Sequence, residues 1–208
     1  MLIEENAVVL FQGDSITDCG RDRGNPDDLG RGYAFMIAAL FSSIHPERNV
    51  RFLNRGIGGN TVEDLKARWQ EDCIALKPTW LSILIGINDA ARAFTQNKPM
   101  PAEVFESTYH SLLLEVKQKL GSRLILLEPF VLPIPEDRMR WREDLDAKVH
   151  AVRRLAQEFG AILIPLDGLF AQAAARKDMA FWSPDGVHPS PAGHAMIARH
   201  WLKAVKAL

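Results

Sequence analysis

The stretch Ala7-Val8-Val9-Leu10-Phe11-Gln12-Gly13-Asp14-Ser15 decides how the rest of the chain reads. Five apolar residues without alternation, Ala7–Phe11, describe a strand buried on both faces, which belongs in a parallel sheet covered by helices. The run stops at Gly13-Asp14-Ser15, residues that suit a sharp turn. Outward from this unit the pattern recurs. Val50–Leu53, Trp80–Ile85, Leu124–Leu127 and Ala161–Ile164 are short, apolar and bounded by Gly, Pro or polar residues, so five strands are expected. Helical spacing of apolar residues predicts helices over Tyr33–Ser43, Thr61–Cys73, Ala102–Leu120 and Arg142–Phe159. A last helix opens at Ser190-Pro191 and runs through Trp201. Thr61 with Asp64 resembles a capping box with a shortened acid, Gly121 and Gly160 suit helix ends, and Ser190-Pro191 suits an N-cap followed by Pro at N1. Strand–helix alternation of this kind predicts an α/β chain: a three-layer α/β/α sandwich with right-handed crossovers. The longest irregular stretches, Thr17–Gly32 and Pro129–Met139, are expected as loops, long enough to be functional or simply solvated connections.

Composition narrows the function. The 208 residues fit one domain over 1–208, and 47% hydrophobic residues suffice for a core without disulfide or metal support. With 25 basic against 26 acidic residues there is no electrostatic footprint for nucleic acid or for a membrane surface. Cys19 and Cys73 show no metal-type spacing and are expected as free thiols. Glu4 and Glu5 stand where a signal peptide would carry positive charge, and Ala7–Phe11 is too short for a signal core or a membrane span. A cytoplasmic protein is expected.

Four short segments carry the chemistry. Gly13-Asp14-Ser15 follows the first strand, where doubly wound sheets bind ligands; by itself the tripeptide also fits an ordinary turn or helix cap. Asp185 and His188 lie three residues apart between Pro184 and Pro189. That spacing lets a carboxylate reach the imidazole Nδ1–H and fix its tautomer. Asn88, in Gly86-Ile87-Asn88-Asp89 after the third strand, supplies a side-chain N–H donor. Gly59, after the second strand, presents a backbone N–H without side-chain obstruction. All four segments are read at carboxyl ends of strands, so they are expected to converge on one edge of the sheet.

These blocks, in this order, resemble the SGNH (GDSL-type) hydrolases over nearly the whole chain. The resemblance implies a flavodoxin-like fold with a five-stranded parallel sheet. It also implies a serine esterase with Ser15 as nucleophile, His188 as base and Asp185 as its orienter. The oxyanion hole would be formed by the Ser15 and Gly59 N–H groups and the Asn88 amide, and no cofactor is needed. The stretches Gly13–Arg21 and Gly59–Trp69 look like intracellular bacterial carbohydrate acetyl esterases, including acetylxylan esterases that act on xylo-oligosaccharides. The same region is also similar to less specific GDSL lipases. The alternatives that follow are a lysophospholipase or thioesterase with a longer acyl group, or a non-catalytic carbohydrate-binding protein. Gly58 departs from the family, many members of which carry serine there.

Asp14 and Asp89 adjoin the reactive residues and are expected to support the site loops by accepting backbone N–H bonds. A metal site built from Asp14, Asp18 and Asp89 lacks any histidine or cysteine at ligand spacing, so no metal is expected. Trp182 and Trp141 could stack on a sugar or line an acyl pocket; packing positions fit them equally. His45, His110, His150, His194 and His200 are expected at the surface or packed on helix faces. The expected partner is a small-molecule or oligosaccharide ester. Apolar surface on the terminal helices would permit a homo-oligomer.

Overall fold

The computed structural model describes residues 1–208. Its five strands are β1 (Val8–Gly13), β2 (Arg51–Asn54), β3 (Trp80–Leu84), β4 (Arg123–Leu127) and β5 (Ile162–Ile164). They form one parallel sheet in the order β2-β1-β3-β4-β5. That is the flavodoxin-like order, with its switch point beside β1. Each strand matches an expected apolar run to within a few residues.

The helices, in chain order, are α1 (Ser15–Asp18), α2 (Tyr33–Ile44), α3 (Val62–Ala67), α4 (Trp69–Asp72), α5 (Ile87–Thr95), α6 (Ala102–Leu120), α7 (Arg142–Glu158), α8 (Leu166–Ala174), α9 (Met179–Trp182) and α10 (Pro191–Ala204). The continuous apolar runs of the strands have a direct structural cause. Alternate residues serve two separate cores. Val9, Phe11, Trp80, Ile125 and Leu127 pack with α2, α8 and α10 on one face. Leu10, Leu81, Ile83, Leu124 and Leu126 pack with α3, α4, α6 and part of α7 on the other. The one polar side chain in the middle of β3, Ser82, is buried and accepts a hydrogen bond from Trp201 Nε1 at 3.0 Å.

Four expectations need correction. The helix expected over Thr61–Cys73 starts as anticipated, with a complete Thr61–Asp64 capping box, but breaks at Arg68 into α3 and α4. The Arg68 guanidinium is drawn away to Gln12, Gly13 O and Asp72. Pro129–Met139 is irregular as expected but solvated only in its second half: Phe130, Val131 and Leu132 are buried in the core, and Met139 is exposed. The segment then ends in a 3-10 turn from Glu136. The motif Gly86–Asp89 is less a strand end than a helix start, because α5 begins at Ile87. Finally, the apolar surface expected on the terminal helices is spread more widely: Phe35, Leu40 and Ile44 are exposed on α2, Val104 and Leu114 on α6, and Phe181 on α9. The helices α1, α8 and α9 are too short or too weakly patterned to have been read from sequence.

Candidate active site

Ser15 is the first residue of α1, immediately beyond β1. The chain turns there because two neighbours allow it. A side chain at Gly13 would meet Leu84 O at 2.3 Å and Thr17 Oγ1 at 2.4 Å, so only glycine lets the strand end lie this close to β3 and α1. Asp14 then caps the helix, its Oδ1 accepting from Ile16 N–H at 2.9 Å. At the first helical position Ser15 N–H has no intrahelical acceptor and is free to serve a ligand.

His188 Nε2 stands 2.9 Å from Ser15 Oγ, across 173 residues of sequence. His188 Nδ1 stands 2.7 Å from Asp185 Oδ2, while Asp185 Oδ1 accepts from His188 N–H at 2.7 Å and Val187 N–H at 3.0 Å. Partial burial pushes the Asp185 carboxyl up, but the His188 ring and these two backbone donors outweigh it and bring it down to about 2. An ionised carboxylate only accepts, so the proton sits on Nδ1 and Nε2 keeps a lone pair toward the serine hydroxyl. The Pro129–Met139 segment, buried in its first half, holds this loop. Leu132 N–H donates to Gly186 O at 2.8 Å, and Arg138 donates to Asp185 O. Ser183 Oγ donates to His188 O at 2.9 Å.

The two expected donors beside the serine come from separate segments. Ile57-Gly58-Gly59-Asn60 is a tight turn, closed by Asn60 N–H on Ile57 O at 3.2 Å, with Gly59 at φ +81°. Gly58 N–H donates to Asp18 Oδ2 at 2.9 Å, and a side chain at Gly58 would lie 3.7 Å from Ser15 Cβ, so this turn borders the nucleophile. Gly59 N–H takes no acceptor within the protein. Asn88, in the first turn of α5, spends one amide hydrogen on Asn60 O at 3.0 Å and has a second to offer. Asp89, beside it, accepts from Val62 N–H at 3.0 Å and so ties α5 to α3.

Asp14 and Asp89 thus each accept the kind of backbone bond expected of them. Both are buried, and each has one carboxylate oxygen without a protein partner. Burial pushes Asp14 up to about 7, against the pull of the Ile16 N–H, and pushes Asp89 up to about 6, against the Val62 N–H. Asp18 is turned away from both, toward Gly58 N–H and Arg23 Nη2. No group of three or more His, Cys, Asp and Glu side chains is placed to hold a metal ion.

Trp182 packs edge-on against Phe181, with ring centroids 5.0 Å apart, and lines a cavity with Arg176, Lys177, Met196 and Arg199. Trp141 carries the Arg138 guanidinium 4.8 Å above its ring, and so backs the residue that holds Asp185 O. His194 is buried and has a polar task that helix-face packing did not anticipate. Its Nδ1 accepts from Tyr33 N–H at 3.2 Å, capping α2, whose N-cap residue Gly32 has no side chain to do so. Burial, then the His188 charge, pull His194 down to about 4. Its Nε2–H therefore points to Cys19 Sγ at 3.4 Å. Both cysteines are free.

Sequence reasoning missed the residues that brace the site: Asp18, Arg68, Arg92 and Arg138. None of them left a local signal, because each acts on a group in another segment.

The geometry has known counterparts. Residues 11–196 match the GDSL-like Lipase/Acylhydrolase family. The chain is 41% identical to an acetylxylan esterase of Geobacillus stearothermophilus, over 99% of this chain and 96% of that one. A crystal structure of an acetylxylan esterase from the same bacterium superposes with a TM-score of 0.89 at 38% identity, covering 99% and 96% of the two chains. That esterase has also been crystallised as catalytic mutants in which a serine or an aspartate is replaced by alanine. A GDSL-like lipase from Parabacteroides merdae superposes with a TM-score of 0.95 at 35% identity, covering 99% and 98%. The chain belongs to the GDSL-like lipase/acylhydrolase family, with the parallel α/β/α fold of the SGNH hydrolases.

Proposed function

We propose that this protein is a serine esterase that removes acetyl groups from xylo-oligosaccharides or related carbohydrates through an acyl-enzyme on Ser15. The observation that carries the reading is the relay Ser15 Oγ–His188 Nε2–Asp185, closed at 2.9 and 2.7 Å. Ser15 Oγ attacks the ester carbonyl as His188 Nε2 takes its proton. The oxyanion is met by the Ser15 and Gly59 N–H groups and by the second amide hydrogen of Asn88. Collapse expels the sugar hydroxyl, which leaves with the proton from His188. A water, deprotonated by the same ring, then releases acetate and restores the serine. Asp185 stabilises the imidazolium in both halves.

Support for a bulky, polar leaving group comes from the openness of the site: the side chains of His188 and Asp185 are 55% and 42% exposed. The same exposure argues against a long enclosed acyl channel of the kind a lysophospholipase would need. The two free cysteines suit a reducing, cytoplasmic setting.

Two measurements test the reading. On a panel of aryl esters and acetylated xylo-oligosaccharides, kcat/KM should be highest for acetyl groups. A strong preference for acyl chains of about eight carbons or longer would replace the acetyl reading with the lipase one, since each buried CH₂ adds roughly 0.8 kcal/mol. The pH profile should rise from the acid side, because the base must be neutral to accept a proton. Asp185, held near 2, stays ionised across that range, while the buried Asp14 and Asp89, pushed up to about 7 and about 6, change charge within it. A profile flat from about pH 5 to 8 would contradict histidine as the base.

A further inference from the structure

Resting on the esterase reading above, we propose that Arg92 is a positioning residue of the oxyanion site: it fixes the Gly59 N–H relative to the Asn88 amide. The need for such a residue follows from the turn itself. Gly58 and Gly59 carry no side chains, Gly59 is exposed, and a Cβ built on Gly59 would find nothing within 4 Å. No packing wall therefore locates this peptide, and glycine tolerates a wide range of backbone angles. At Gly59 its position depends chiefly on hydrogen bonds.

Those bonds are few and specific. Asp18 Oδ2 receives Gly58 N–H on one side of the turn. On the other, Arg92 Nη2 donates to Gly59 O at 2.9 Å and to Asp64 Oδ2 at 3.2 Å. Arg92 lies one turn after Asn88 on α5, and Asn88 donates to the next carbonyl, Asn60 O. One helix therefore grips two successive carbonyls of the turn and at the same time supplies the second oxyanion donor. Arg92 is the strut between the two donors. Its bond is to the carbonyl of the peptide that adjoins the needed N–H across the Gly59 Cα, so loosening it frees that Cα to rotate and lets the N–H tilt. A misplacement of about 1 Å is enough to cost on the order of 10²-fold in rate.

Arg92→Met removes the donors and keeps most of the stem; Arg92→Lys keeps one donor of shorter reach. Each is compared with wild type for kcat and KM on p-nitrophenyl acetate, for inhibition by an alkylboronic acid, and for melting temperature. The boronic acid forms a tetrahedral anionic adduct on the serine and so reads the oxyanion site without turnover. Arg92→Met should lower kcat about tenfold or more, short of the ~10²–10³ for losing a donor outright. It should weaken boronate binding by a similar factor and leave KM and melting temperature near wild type. Arg92→Lys should recover part of both losses.

A rise in KM with kcat unchanged would make Arg92 a substrate contact instead. Unchanged boronate binding, or activity lost only in step with melting temperature in both variants, would overturn the proposal too. The esterase reading fails separately, if wild-type protein shows no Ser15-dependent hydrolysis of any ester.

Discussion

Ser15→Ala should lower kcat on aryl acetates by on the order of 10⁶ and leave the protein folded. The loss is large because the hydroxyl is the atom that forms the acyl bond, and no neighbouring group can replace it. The fold should not notice, because Ser15 is only half-buried and its hydroxyl makes a single side-chain bond, to His188. His188→Ala should cost about as much, and the double variant scarcely more than either, since the two residues act in one step. Asp185→Ala should cost less, roughly 10⁴, because the ring survives without its orienter. That order, with Asp185 the mildest, separates the relay from a site in which the aspartate is itself the base. Comparable initial rates for Ser15→Ala and wild type would remove the nucleophile from the mechanism. Circular dichroism of the variants would show whether the losses are chemical.

Asn88→Ala should reduce kcat by about 10²–10³ with little change in KM. The donor matters only once negative charge has developed on the carbonyl oxygen, so it contributes to the transition state and not to ground-state binding. Truncation also removes the bond from Asn88 to Asn60 O, and could loosen the turn. Asn88→Asp controls for this: it keeps the shape but replaces donors with acceptors. It should be at least as slow as the alanine variant. A rise in KM at constant kcat in both variants would assign Asn88 to substrate binding.

The class of fold was legible because its cause is local. A strand buried on both faces is apolar at nearly every position, and Val8–Phe11, Trp80–Leu84 (Ser82 excepted) and Leu124–Leu127 show it without any long-range information. Helix boundaries set by short-range chemistry were legible for the same reason: the Thr61–Asp64 capping box, the Gly121 end of α6 and the Ser190-Pro191 start of α10 all lie where side-chain identity dictates them. The candidate site was legible as a set of residue types in order, because Ser15, Gly59, Asn88, Asp185 and His188 each sit in a segment with few alternatives.

What the sequence alone determined, then, is the strand–helix alternation and the residue types of the candidate site. Only the tertiary structure decided how those groups are held. Arg92 reaches Gly59 O from another segment, and Arg138 reaches Asp185 from 47 residues away. His194 caps a helix whose start lies 161 residues earlier. Pro129–Met139, which reads as a long functional or solvated loop, is buried at Phe130–Leu132, where Leu132 N–H holds Gly186 O, and exposed toward Met139. Local propensity is written within a few residues of each position. A hydrogen bond to a distant backbone carbonyl leaves no local trace, because the acceptor is the same atom in every residue.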